Sequence, residues 1–127
     1  MHTAVPENII QKQWVVINRL ITVLGGKKSI HDKFTEICNI IPSAFTYPEL
    51  ISVRISYENV TITSHGFKAS GIIKKYAFGT PGSIQGILEI HFSEKYSLKS
   101  DFQDERHCED FISNLASLIA WNMSAAK

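Results

Sequence analysis

Arg54 lies at the centre of the run "ISVRISY", residues 51–57, where Ile51, Val53, Ile55 and Tyr57 alternate with Ser52, Arg54 and Ser56. A guanidinium on the polar side of a strand can grip a carboxylate or phosphate through two parallel hydrogen bonds. It can equally lie across the sheet, paired with a neighbouring acid, since arginine is mostly a surface residue. Three aromatic residues, Tyr47, Phe67 and Tyr76, fall close enough in sequence to wall an apolar pocket with polar tips. Aromatics beside a proline also seal helix-to-strand corners. Tyr47, Arg54, Phe67 and Tyr76 are the candidate ligand-binding residues.

Other reactive side chains form no constellation. His31, His65, His91 and His107 never pair with another histidine or cysteine at metal-ligand spacing, and the adjacent His107 and Cys108 point to different helix faces. No metal and no cofactor is expected. The two cysteines, Cys38 and Cys108, sit on separate apolar stripes, which reads as inert buried thiols. A small redox enzyme using either thiol is the enzymatic alternative. "GTPG" and "SHG" lack the strand-and-helix context of a phosphate loop or nucleophile elbow. The expectation is a protein that is not an enzyme.

The totals exclude several further classes. The 127 residues carry 44% hydrophobic and 20% charged side chains with a net charge of +1, the balance of one globular domain over 1–127. No basic run tracks a phosphate backbone, so no nucleic-acid partner is expected. Apolar runs fall far short of the ~20 residues that span a bilayer, and "MHTAVPENIIQKQW" lacks the order of a signal peptide. A cytoplasmic location follows.

The elements that would position these residues are legible in the spacing. Ile10, Trp14, Ile17, Ile21 and Leu24 recur at intervals of 4-3-4-3, with Val16, Leu20 and Val23 as a second row, giving a helix from Glu7 to Leu24 stopped by Gly25-Gly26. Ser29 caps a second helix near Asp32, striped by Ile30, Phe34, Ile37 and Cys38 and limited by Pro42. Glu58-Asn59 turns the strand at 50–57 into Val60–Ser64. A short loop, 65–70, leads to strands Ile72–Phe78 and Ser83–Phe92 around "GTPG". The closing helix runs from Asp101 to about Met123, with Cys108, Phe111, Leu115 and Leu118 in one row and Ile112, Ala116, Ile119 and Met123 in another. Pro42 and Pro48 bracket a hinge whose corner Tyr47 is expected to plug.

This order predicts an α+β fold: an antiparallel sheet of two hairpins with the N- and C-terminal helices packed on one face. Two apolar rows on each terminal helix exceed what one contact hides. One row should meet the sheet and the other a terminal helix or a second copy, which predicts a homodimer through Ile10, Trp14, Ile17, Ile21, Leu115 and Leu118.

The stretch "IPSAFTYPELISVRISYENVTITSHGFK" resembles GAF-like sensor domains of bacterial signalling proteins. The matching residues are Ile41, Pro42, Tyr47, Pro48, Val53, Arg54, Ile55, Tyr57, Phe67 and Lys68. The strand "GILEIHFSEKY" and the helix "FQDERHCEDFISNLASLIA" extend the likeness over roughly 35–120. Phe45 stands where that pattern has tryptophan, so no role resting on an indole N–H carries over. The "NKFDE"-type motif of cyclic-nucleotide-binding members is absent. The loop Ser64–Gly71 is shorter than the lids of ligand-enclosing members, so any pocket would be shallow or open. The resemblance implies a sensory or relay role in a two-component or cyclase system, coupled through the terminal helices to a kinase or cyclase output module; it supplies no ligand, and a small molecule is the candidate one. A purely structural dimerisation module is the non-sensory alternative.

Overall fold

The computed structural model describes residues 7–45, 47–80, 83–99 and 102–125. Helix α1 spans Glu7–Leu24 and α2 spans Ile30–Ile40. Strands β1, Ile51–Tyr57, and β2, Val60–Thr63, form one hairpin; β3, Ile72–Thr80, and β4, Ser83–Phe92, form the second. Helix α3, Glu94–Lys99, and α4, Phe102–Ala125, close the chain. The four strands make one antiparallel sheet in the order β2-β1-β4-β3. The fold is therefore α+β with a four-stranded antiparallel sheet, as the change of period from 3.6 to 2 predicts.

Local chemistry explains the element ends. Gly25 donates its N–H to the Ile21 carbonyl at 3.0 Å, and the Lys33 ammonium donates to the Leu24 carbonyl at 2.7 Å, satisfying α1's last turn. Ser29 caps α2 as expected, its hydroxyl accepting the Asp32 N–H at 3.1 Å. Pro42 stands in a 3-10 turn, Ile41–Ala44, and Pro48 opens another, Pro48–Leu50. In the first hairpin Tyr57 pairs with Val60, leaving a two-residue turn in which Glu58 takes a positive φ of 55°, the conformation that matches strand twist. The expected N-cap Asp101 and the Pro81-Gly82 pair lie outside the described residues, as do the side chains of His107, Cys108 and Met123. Helix α3 carries no period long enough to be read from the sequence.

One sheet face is apolar. Val53, Ile55, Leu88 and Ile90 are fully buried, with α2 against β1 and β2 and α4 against β3. Phe34 of α2 meets Tyr57 and Phe78 edge-on, at 5.6 Å and 6.0 Å between ring centroids. At the hinge the corner is filled by Phe45 rather than Tyr47. Phe45 packs edge-on against Phe92, Tyr96 and Phe111, tying hinge, sheet and α4 together. Tyr47 is half-buried at the rim, 6.0 Å from Tyr96.

The arrangement of the terminal helices differs from the expectation that both lie on the sheet. Helix α1 packs chiefly against α2, the 41–44 turn and α4. Val16, Leu20 and Leu24 are its buried row, while Ile10, Trp14 and Ile21 remain exposed. Leu115, expected at a dimer interface, is fully buried in the core. With Phe111, Ile112 and Ile119 it belongs to the core of the single chain, which leaves it no surface to offer a second copy. Leu118, one turn nearer the surface, is half-buried against the core.

Both sheet edges are blunted. β2 has four residues, and β3 carries Lys74, Lys75 and a register shift at Phe78/Gly79. Short strands, lysines and bulges disfavour further strand pairing.

Candidate functional site

Among the described residues no helix packs on the other sheet face, and the strand order decides what crosses it. β2 and β3 lie at opposite edges, so residues 64–71 must pass over β1 and β4, a span of about 14 Å at normal strand spacing. Gly66, with φ of 70°, supplies the bend. The segment is strapped down at a few points. The Ser64 N–H bonds the Val53 carbonyl at 2.8 Å, the Lys68 N–H bonds the Ser52 hydroxyl at 3.1 Å, and the Ser70 hydroxyl bonds the Phe92 carbonyl.

Beneath the strap lies a charge network built by strand register. Arg54 and Glu89 are direct cross-strand partners, and His91 follows Glu89 on the same face of β4. Arg54 donates from Nε to Glu89 Oε2 at 3.2 Å and from Nη2 to Oε1 at 2.8 Å. His91 Nε2 lies 2.9 Å from the same Oε1, while His91 Nδ1 accepts the Ser70 N–H at 3.1 Å. A backbone N–H can only donate, so Nδ1 is the unprotonated nitrogen and Nε2 carries the hydrogen given to Glu89. Phe67 roofs the group: its ring is 4.9 Å from the His91 ring and 5.4 Å from the Arg54 guanidinium carbon, a cation–π contact of about 0.5–1 kcal/mol. Glu89 is 6% exposed and His91 1%.

Burial pushes the Glu89 carboxyl's pKa up, but the hydrogen bonds from Arg54 and His91, together with the Arg54 charge, outweigh it and hold the pKa below the usual carboxylate range. The Arg54 guanidinium is held further toward its charged form, chiefly by the hydrogen bond to Glu89. The network's hydrogen bonds close on one another, and about a third of the Arg54 side chain meets solvent. Its evident work is to fasten the strap to the sheet.

The four predicted ligand-binding residues are not brought to one place. Arg54 and Phe67 meet on the open sheet face. Tyr47 stands at the hinge rim, and Tyr76 lies on the helix-facing side of β3, packed against the core. The fork of Arg54 already holds Glu89. A groove of about 770 Å³ lies at the sheet end, where strap, hinge and the start of α3 converge; Glu49, His65, Lys68, Ser70, Ser93 and Lys95 are among its lining residues. None of the four predicted residues lines it. Tyr76 instead borders a smaller cleft of about 360 Å³ between β3 and Ser113, Ala116 and Ala120 of α4.

Glu89 and His91 were missed by the sequence reading as a unit with Arg54. The i, i+2 spacing in "ILEIHF" puts them on one strand face, but only the β1–β4 pairing places Arg54 opposite. Among the described residues no cluster of three or more metal-ligating side chains forms. Cys38 is buried and donates to the Ile62 carbonyl at 3.7 Å; burial pushes its thiol up to about 12. No helix among the described residues is long and apolar enough to cross a membrane. No protein-family model matches the chain, and no curated protein matches it.

Proposed function

We propose that this chain is a non-enzymatic, GAF-like sensory or relay domain of bacterial signal transduction, working in the cytoplasm as a homodimer joined through α1 and α4. The observation that carries this reading is the apolar surface on those adjacent helices. Trp14 is 60% exposed, Ile21 50%, Ile10 39% and Trp121 76%. Ile10, Trp14, Ile17 and Ile21 form one stripe, and Trp121 follows Leu118 by three residues on α4. Leaving two indoles and several aliphatic chains in water forgoes about 25 cal/mol for each Å² of apolar surface that could be buried. A second copy is the natural occupant, because a stripe of this kind is self-complementary under two-fold symmetry and a net charge of +1 sets up little repulsion. In this mechanism, a ligand or partner at the sheet end shifts the packing of the terminal helices, and the shift passes to a kinase or cyclase output module.

The groove at the sheet end is the place that favours a small-molecule ligand. A purely structural dimerisation module shares the apolar stripe but would show no ligand-dependent rise in melting temperature. A cysteine-dependent redox enzyme is disfavoured at Cys38, whose thiol is buried and hard to ionise.

Sedimentation velocity tests the reading. Wild type should sediment as a dimer, and Trp14→Glu combined with Ile21→Glu should give a folded monomer with unchanged circular dichroism. A wild-type chain that stays monomeric at high concentration overturns it.

A further inference from the structure

We infer that the strap over the open sheet face is a proton-operated latch, closed while His91 is neutral and released when His91 gains a proton. The inference goes beyond the relay reading and does not need it. It rests on how the imidazole is held. His91 is 1% exposed, accepts a backbone N–H from the strap on Nδ1, and faces a carboxylate with Nε2. Histidine is the side chain whose charge ordinarily changes between about pH 5 and pH 8. The incoming proton must go to Nδ1, the one unprotonated ring nitrogen, whose lone pair now accepts the Ser70 N–H. Nδ1–H then confronts Ser70 N–H, two donors at 3.1 Å with no acceptor between them. One of the two must move, and the strap is the weaker side.

The imbalance between ring and strap is plain in the structure. The ring is fixed by its strand, by Glu89 and by the core behind the sheet. The strap exposes His65, Gly66, Lys68, Ala69 and Gly71, half-buries Phe67 and Ser70, and buries only Ser64 at its start. An element with few buried contacts opens at low cost. The charges on the face of His91 are Glu89 on its own strand, Arg54 on β1 and Lys75 on β3 opposite Glu89; the strap adds His65 and Lys68, both exposed to solvent. Arg54 already engages both carboxylate oxygens of Glu89. The network passes from neutral to +1 on protonation, so the Arg54–Phe67 contact and the Ser70 bond are strained together. Because Ser70, Lys68 and His65 also line the sheet-end groove, release of the strap reshapes that groove.

The test follows His91 and Ser70 in the same wild-type sample by NMR. Imidazole nitrogen shifts report ring protonation, and amide hydrogen exchange at Ser70, corrected for intrinsic rate, reports the strap, from about pH 8 to about pH 5. Exchange at Ser70 should accelerate about tenfold, the scale of one backbone hydrogen bond, with the same midpoint as the ring. Amides in the centre of β1 should stay protected. His91→Gln, which cannot titrate, should show no such step. Three results overturn the latch: ring protonation with Ser70 protection unchanged, strap release at a midpoint unrelated to the ring, or a ring that stays neutral until the whole fold is lost.

Discussion

Arg54 and Glu89 face each other across the β1–β4 ladder, with the guanidinium bonded to both carboxylate oxygens at 2.8 Å and 3.2 Å. Glu89 is the buried member and Arg54 keeps about a third of its side chain in solvent. Arg54→Met therefore strands a buried carboxylate. Breaking a fully buried pair costs about 3–5 kcal/mol; the part-exposed arginine lowers this to about 2–3 kcal/mol. The double variant Arg54→Met, Glu89→Met should recover most of the loss. Urea unfolding of both singles and the double measures the coupling, and purely additive losses would contradict the account.

Acid stability should report the same carboxylate. The folded pKa of Glu89 lies below its unfolded value, so the contribution from ionising this one carboxyl is complete above about pH 4.3, the ordinary carboxylate pKa. It disappears as pH falls through the lowered folded value. Glu89→Gln should flatten this acid limb while lowering stability near neutrality. Urea midpoints measured across pH for both proteins decide it; parallel acid limbs would show that Glu89 is not the titrating group.

Gly86 is where β4 passes closest to its neighbours. A Cβ there would collide with the Phe78 ring and come within 2.6 Å of the Ser56 carbonyl oxygen. The ring can shift a little; the backbone oxygen belongs to the β1–β4 ladder and cannot. Gly86→Ala should destabilise by about 2 kcal/mol, read as a fall in melting temperature by calorimetry.

Cys38 should be chemically silent in the folded state. With its thiol pushed up to about 12, the thiolate fraction at pH 8 is on the order of 10⁻⁴. In a Cys108→Ser background, a disulfide reagent should label Cys38 only at the rate of unfolding, and in full in denaturant. Rapid labelling of the native protein would contradict the buried setting and revive a redox role.

Short-range physics made much of the fold legible. The 4-3-4-3 spacing in α1, the Ser29 cap, the Gly25-Gly26 stop and the alternation in "ISVRISY" are each decided within one or two turns of chain. A helix or strand face is fixed by residues three or two apart. The same logic overreached at Leu115: the core takes both apolar rows of α4, Phe111 and Leu115 as well as Ile112, Ala116 and Ile119, where the spacing offered one of them to a second copy. At the hinge, sequence favoured Tyr47 because it precedes Pro48, but Phe45 reaches Phe92 and Phe111, partners from distant parts of the chain.

By itself the sequence determined the element types, most of their bounds, the alternating character of β1 and the surplus of apolar surface on α1. Tertiary structure alone decided that β1 lies beside β4, which sets Arg54 opposite Glu89, places β2 and β3 at opposite edges and draws residues 64–71 across the open face onto His91. Strand order depends on which hairpin edge gains more by pairing, a comparison among residues 30 to 40 positions apart that no local period records.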